Sequence, residues 1–261
     1  MASADYLKDL FGLDGKTAIA IGGTGELGGA FIDALAKAGA HVVISGRGEK
    51  AGRTRADELI AEGGSAEFFP VDVTRRESLE ALRDHLRSQG RTIDVLINGA
   101  GVNSATPFLE ITDEEWNKIF NVNLRGIRLA CQVFGPVMIE QQSGSIINIA
   151  SLSGITPLSR VFTYSATKAG VINLTQNLAR EWARHGVRVN ALSPGFFPAE
   201  QNKEILSEER QRQIKSHTPM GRYGEPEELA GAILLMASPN AGSFLTGANI
   251  VVDGGFMAMT I

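Results

Sequence analysis

The 261-residue chain has one cysteine, few aromatics, no dominant charge sign and no apolar run approaching the 18 residues of a membrane-crossing helix. Each shortage removes a class of protein. Cys131 has no second thiol to pair with, so a disulfide scaffold is excluded, and its apolar setting from Leu129 to Val133 reads as a buried small hydrophobe rather than a nucleophile. Lys and Arg number 25 against 29 Asp and Glu, a formal charge of −4 spread along the chain. No basic face is present for nucleic acid or an anionic membrane, and neither is expected as a partner. The first thirteen residues carry Asp5 and Asp9 and no run of signal-peptide length, so the expected location is the cytoplasm.

Glycine, by contrast, is abundant: 30 residues, against about 18 at the average usage of roughly 7%. There is no Gly-X-Y period, and a chain that is 43% hydrophobic and 21% charged is no disordered linker. The glycines therefore belong to a folded, core-bearing domain.

Short β-branched runs begin at Thr17, His41, Ala66, Ile93, Ser145, Val187 and Asn249. Between them apolar residues recur at helical spacing, as in Leu27/Phe31/Leu35/Ala38 and Leu79/Leu82/Leu86. Strands that are apolar on both faces and alternate with helices specify a doubly wound α/β fold with a parallel sheet of about seven strands. Gly39, Gly63, Gly64, Gly90 and Gly186 fall where helices must end before the next strand. No repeat or linker divides the chain, so residues 1–261 are expected to form a single domain. The polar stretch after the sixth strand, over residues 196–222, is expected to be a substrate loop or lid, because such insertions lie over the ligand crevice of these sheets.

The first strand runs directly into Gly22-Gly-Thr-Gly-Glu-Leu-Gly28-Gly29 and then a helix. Gly23, Gly25 and Gly28 satisfy G-x-G-x-x-G in the strand-turn-helix setting where backbone amides receive a pyrophosphate. The second strand ends Ser45-Gly46-Arg47, with no carboxylate for an NAD ribose and a guanidinium able to pair a 2′-phosphate; NADP is favoured over NAD on this ground. Glu26 sits within the phosphate turn, tolerable there if its side chain points away. Tyr164 and Lys168, four apart at the start of a long helix, stand one turn apart on one face. An ammonium there is expected to lower the phenol pKa from about 10 and make Tyr164 a general base.

Taken with Asp72 in Val71-Asp-Val73, Asn98-Gly-Ala-Gly101, Asn123, Ser151, Ser193-Pro-Gly195 and the closing Thr246 to Gly255, the chain resembles the short-chain dehydrogenase/reductase family from about Leu13 to Phe256. The resemblance implies a Rossmann-type domain and reversible hydride transfer between a nicotinamide and an alcohol carbon. It implies catalytic roles for Asn123, Ser151, Tyr164 and Lys168. Tyr164 would move the hydroxyl proton, Ser151 hold the same oxygen, Lys168 bind the nicotinamide ribose, and Asn123 hold a water linking Lys168 to solvent. Cofactor contacts are implied for Gly22, Gly23, Thr24, Glu26, Leu27, Gly28, Arg47, Asp72, Val73, Asn98, Ala100, Gly101, Tyr164, Lys168, Pro194 and Gly195, with Asp72 at adenine and Asn98 and Ala100 along the adenosine ribose. The family's usual residues are replaced at Ile21, Glu26 and Gly99, which bears on the phosphate turn and loop anchoring.

Within the family, the Leu7–Lys16, Gly25–Gly29, Pro194–Asn202 and His217–Arg222 segments look most like the sugar-acid and polyol branch typified by D-mannonate oxidoreductase and gluconate 5-dehydrogenase. A polyhydroxylated substrate needs convergent polar groups. Ser151, Ser153, Arg160, Tyr164, Glu200, Gln201 and Asn202 are the candidates, and no metal ligands are assigned. The alternatives are a 3-ketoacyl-carrier-protein-type reductase, which would use a basic patch near Arg125 and Arg128, and a non-catalytic dinucleotide-sensing regulator, which would have no need of the proton-transfer residues. The resemblance also implies a homotetramer formed through the Tyr164 helix and the C-terminal segment, whose tail Phe256 to Ile261 carries no charged side chain.

Overall fold

The computed structural model describes residues 3–197 and 207–259. Seven strands form one parallel sheet in the order β3-β2-β1-β4-β5-β6-β7. They are β1 (Thr17–Ile21), β2 (His41–Gly46), β3 (Ser65–Pro70), β4 (Val95–Asn98), β5 (Gly144–Ile149), β6 (Val187–Pro194) and β7 (Asn249–Val252). Strand order reverses between β1 and β4, so the crevice of this sheet opens beyond the carboxyl ends of those two strands.

Alternation along each strand feeds two cores. On β1, Ile19 and Ile21 pack on one face with Leu79, Leu82 and Leu86 of α4 (Arg76–Ser88) and Phe134 of α6 (Gly126–Gln141). Ala18 and Ala20 face the other layer, with Phe31, Ile32 and Leu35 of α2 (Glu26–Lys37), Leu59 of α3 (Glu49–Ala61) and Ile233 of α9 (Ala230–Ala237). Burial on both sides accounts for the nearly unbroken apolar strands. Helix α1 (Ser3–Phe11) precedes β1, and α5 (Asp113–Phe120) precedes α6.

Gly39 and Gly186 hold φ of +97° and +71°, the left-handed stops expected of helix ends. Three strand starts move: β3 and β5 begin one residue earlier, at Ser65 and Gly144, and β4 begins at Val95 rather than Ile93. Asp94 is occupied otherwise, accepting hydrogen bonds from Thr17 N (2.9 Å), Lys16 Nζ (3.1 Å) and Thr92 Oγ1 (2.6 Å), and so ties the entry of β4 to that of β1. Among the described residues no helix is long and apolar enough to cross a membrane.

Candidate active site

The turn after β1 is shaped by close backbone approach. Gly22 has φ +86°, and a Cβ there would lie 2.7 Å from the Ala100 nitrogen, while a Cβ on Gly28 would strike the Gly22 carbonyl. Only glycine lets the first turn, the β4 loop and the start of α2 meet this closely, which leaves the first amides of α2 open towards the crevice. Glu26 is the first residue of α2 and is exposed, where a carboxylate is favoured by the helix dipole. Leu27 and Gly28 line the same cavity.

A second recess of about 310 Å³ joins that turn to the β2 and β3 ends. Thr24, Arg47, Asp72, Val73, Ala100 and Gly101 line it. The Asp72 carboxylate accepts from the Thr74 hydroxyl (2.7 Å) and amide (2.9 Å), which together with Arg47 and Arg75 hold it below its ordinary range against the opposing effect of burial. Arg47 is exposed; its main-chain carbonyl accepts from the Glu49 amide at 3.1 Å, and its guanidinium forms no hydrogen bond or ion pair with another described residue.

The chemistry gathers at the other end. Tyr164 and Lys168 project from α7 (Phe162–Trp182) beside Ser151, which follows β5 and caps the short turn Leu152–Gly154. The ammonium of Lys168 lies 5.3 Å from the Tyr164 ring centroid, and Nζ donates to the Ile149 carbonyl at 2.6 Å. Lys168 is only 3% exposed, and burial brings its pKa down to about 8. Burial likewise raises the Tyr164 phenol above its ordinary value, opposed by a hydrogen bond with Ser151. The expected depression of the phenol is thus corrected: the cost of a buried phenolate outweighs the hydrogen bond with Ser151. Ser151 Oγ in turn accepts from the Ser153 amide (3.2 Å) and hydroxyl (3.1 Å), so Ser153 backs Ser151 from a buried position.

Asn123 lies in a π-helical turn, Asn121–Arg125, between α5 and α6. Its side chain is fully buried. Nδ2 donates to Val102 O (2.9 Å) and Thr167 Oγ1 (3.3 Å), and Oδ1 accepts from Val102 N (2.8 Å). It pins the β4 loop to α7 beside Lys168.

Asn98 needs a correction. Its side chain does not face the crevice but turns into the sheet, donating to Asn148 Oδ1 at 2.8 Å and to Cys131 Sγ at 3.7 Å. The two asparagines are register partners on β4 and β5, so a polar link forms inside the sheet, and Asn98 lines neither recess. Cys131 is buried and its thiol is pushed up to about 12 by that burial, which keeps it protonated.

The cavity over these groups measures about 1090 Å³. Its walls include Ser151, Ser153, Arg160, Tyr164, Lys168 and Gly195. Pro194 ends β6, and a Cβ on Gly195 would lie 2.7 Å from Asp253 Cα, so the β6 and β7 ends close together here. Of the expected substrate groups, Glu200, Gln201 and Asn202 lie outside the described residues. Three contributors were not singled out by residue in the sequence. Arg210 and Ile214 reach the cavity from α8 (Glu208–His217), a helix whose placement no local spacing reveals. Gly154 packs its turn on α7 so tightly that a Cβ would lie 2.7 Å from the Lys168 carbonyl carbon; a glycine three residues after Ser151 was the available signal.

The family model described as enoyl-(acyl carrier protein) reductase matches residues 25–257. The chain is 38% identical to galactitol 2-dehydrogenase of Rhizobium johnstonii, covering 94% of this chain and 96% of that one. It is 32% identical to 5-keto-D-gluconate 5-reductase of Escherichia coli K12, covering 96% and 99%. A solved gluconate 5-dehydrogenase from Burkholderia cenocepacia in complex with NADP and tartrate superposes with a TM-score of 0.93 at 32% identity over 97% and 100% of the two chains. The chain belongs to the short-chain dehydrogenase/reductase family and is an oxidoreductase of alcohol and keto groups.

Proposed function

We propose that this enzyme interconverts a secondary alcohol and ketone of a sugar, sugar acid or polyol, with NADP preferred to NAD. The observation that carries the reading is the meeting of Ser151, Tyr164 and Lys168 at the floor of one cavity that extends to the glycine turn. The glycine approach at Gly22 and Gly28 fits a pyrophosphate, and Arg47 beside Asp72 fits a 2′-phosphate. When bound, the nicotinamide supplies the acceptor or donor of hydride.

The chain's own residues handle the proton. In reduction, Tyr164, kept protonated by burial, gives its proton to the carbonyl oxygen while Ser151 donates a hydrogen bond to that oxygen. In oxidation the same phenolate takes the hydroxyl proton, favoured by Ser151 and by the cationic form of Lys168. Asn123 keeps Lys168 and the β4 loop in register. Packed on Val102 and Thr167 beside Lys168, Asn123 is the residue that holds a water leading from Lys168 to solvent.

Support for a carbohydrate comes from the relatives named for galactitol and keto-gluconate, and from the polar walls of the cavity. The segment over residues 196–222 serves as the substrate loop, since Phe196, Phe197 and Arg210 line the cavity. A homotetramer in the cytoplasm accords with the exposed apolar Phe162 on α7 and Val251, Met257 and Met259 near the C-terminus. The test is a panel of aldonates, hexuronates, alditols and aldoses, each with NADP and with NAD. Formation of reduced nicotinamide with a member of that panel is expected; none with any member would refute the reading.

A further inference from the structure

The cavity carries two arginines that the proton chemistry does not use. Arg160 lies in the loop before α7, four residues ahead of Tyr164, and holds φ +67°, a left-handed conformation that residues bearing a Cβ rarely adopt. Arg210 comes from a separate segment, the first turn of α8, and is partly buried. Both line the cavity that contains Ser151 and Tyr164. Its other charged lining groups are Glu26, at the phosphate-turn end, and Lys168, bonded to the Ile149 carbonyl. Neither arginine forms an ion pair with an acidic side chain among the described residues. On a chain of net charge −4, two guanidinium groups are thus brought to one chamber without a described carboxylate to neutralise them.

We infer that Arg160 and Arg210 clamp a terminal oxyanion of the carbohydrate, so that the enzyme selects an acidic sugar over a neutral polyol of the same length. The inference rests on the function proposed above and narrows its substrate class. A guanidinium presents paired N–H donors that match the oxygens of a carboxylate or a phosphate ester, and two of them from different segments fix both the position and the direction of the chain end. Anchoring the far end places an inner hydroxyl carbon against Tyr164, and a neutral alditol leaves both cations unpaired.

The test compares kcat/KM for D-gluconate, D-glucitol and D-glucitol 6-phosphate in the wild type, Arg160→Gln, Arg210→Gln and the double variant. The wild type should favour an acidic substrate, with the more active acid identifying carboxylate or phosphate. Each single substitution should lower the acid-to-glucitol ratio at least tenfold, chiefly through KM, and the double substitution further. Lysine at either position should recover part of the loss and replaces any glutamine variant that fails to fold. Arg87→Gln, which removes a cation paired to Glu140 on the outer surface of α4, should leave the ratio alone. Wild-type preference for glucitol, or a ratio unmoved by both substitutions, overturns the clamp while leaving the proposed function standing. If none of the three compounds is oxidised and the wider panel is also silent, the proposed function fails instead. Titration of D-gluconate and D-glucitol 6-phosphate into the NADP-loaded protein then decides the clamp: binding weakened at least tenfold by the double substitution supports it, and no binding of either acid to the wild type overturns it.

Discussion

Lys168 Nζ donates to the Ile149 carbonyl across 2.6 Å, joining α7 to the last residue of β5, two positions before Ser151. The amine is thereby fixed beneath Tyr164, at the expense of burying a cation.

That burial gives the protein without cofactor a pH signature. With Lys168 at about 8 in the folded state and its ordinary value 10.5 in the unfolded chain, the unfolded state binds more protons between those limits. Stability therefore rises with pH across that window, by about 1–3 kcal/mol. Tyr164 is raised above its ordinary 10.0, so its opposing contribution develops above that pH. Urea unfolding of the wild type and Lys168→Met from pH 7 to 10 should show this rise in the wild type and lose it in the variant. Parallel pH profiles would refute the burial account.

Arg47 should govern the choice of nicotinamide. Replacing it with Ser removes a charged donor worth about 1.5–3 kcal/mol to a 2′-phosphate. The dissociation constant for NADP, followed by fluorescence titration, should rise about tenfold to a hundredfold, while that for NAD changes little. An equal loss for both would show that Arg47 does not read the 2′ position.

Gly154 should be intolerant of a side chain. The Cβ of Gly154→Ala would lie 2.7 Å and 2.8 Å from backbone atoms of Lys168 and Ala169, so the turn bearing Ser151 must move off α7. Overpacking of this kind costs about 1–3 kcal/mol. A lower Tm and a fall in kcat larger than any rise in KM are expected; unchanged kcat would mean that Ser151 is positioned independently of this contact.

The alternation of apolar strands and helices made the sheet legible, because burial on both faces leaves little room for polar residues between Val42 and Ile44 or Val95 and Ile97. The Tyr164–Lys168 pairing was legible for a similar reason: helix geometry fixes side chains four apart before the rest of the fold is known. Contacts across the sheet were not. Asn98 reads as a loop residue facing a ligand until its register with Asn148 is known, and Arg210 reads as one of many charges in a polar stretch until α8 is placed over the cavity. The balance at Tyr164 was also hidden, since spacing reports that a lysine is near but not how far both groups are withdrawn from water.

The central claim is that Tyr164 transfers the proton in a carbohydrate alcohol oxidation. It is tested most directly by following reduced nicotinamide formed from the best substrate of the panel by wild type and Tyr164→Phe, with NADP binding measured in parallel. Turnover should fall about a hundredfold to ten-thousandfold while NADP is still bound. Turnover by the phenylalanine variant equal to that of the wild type would contradict the account.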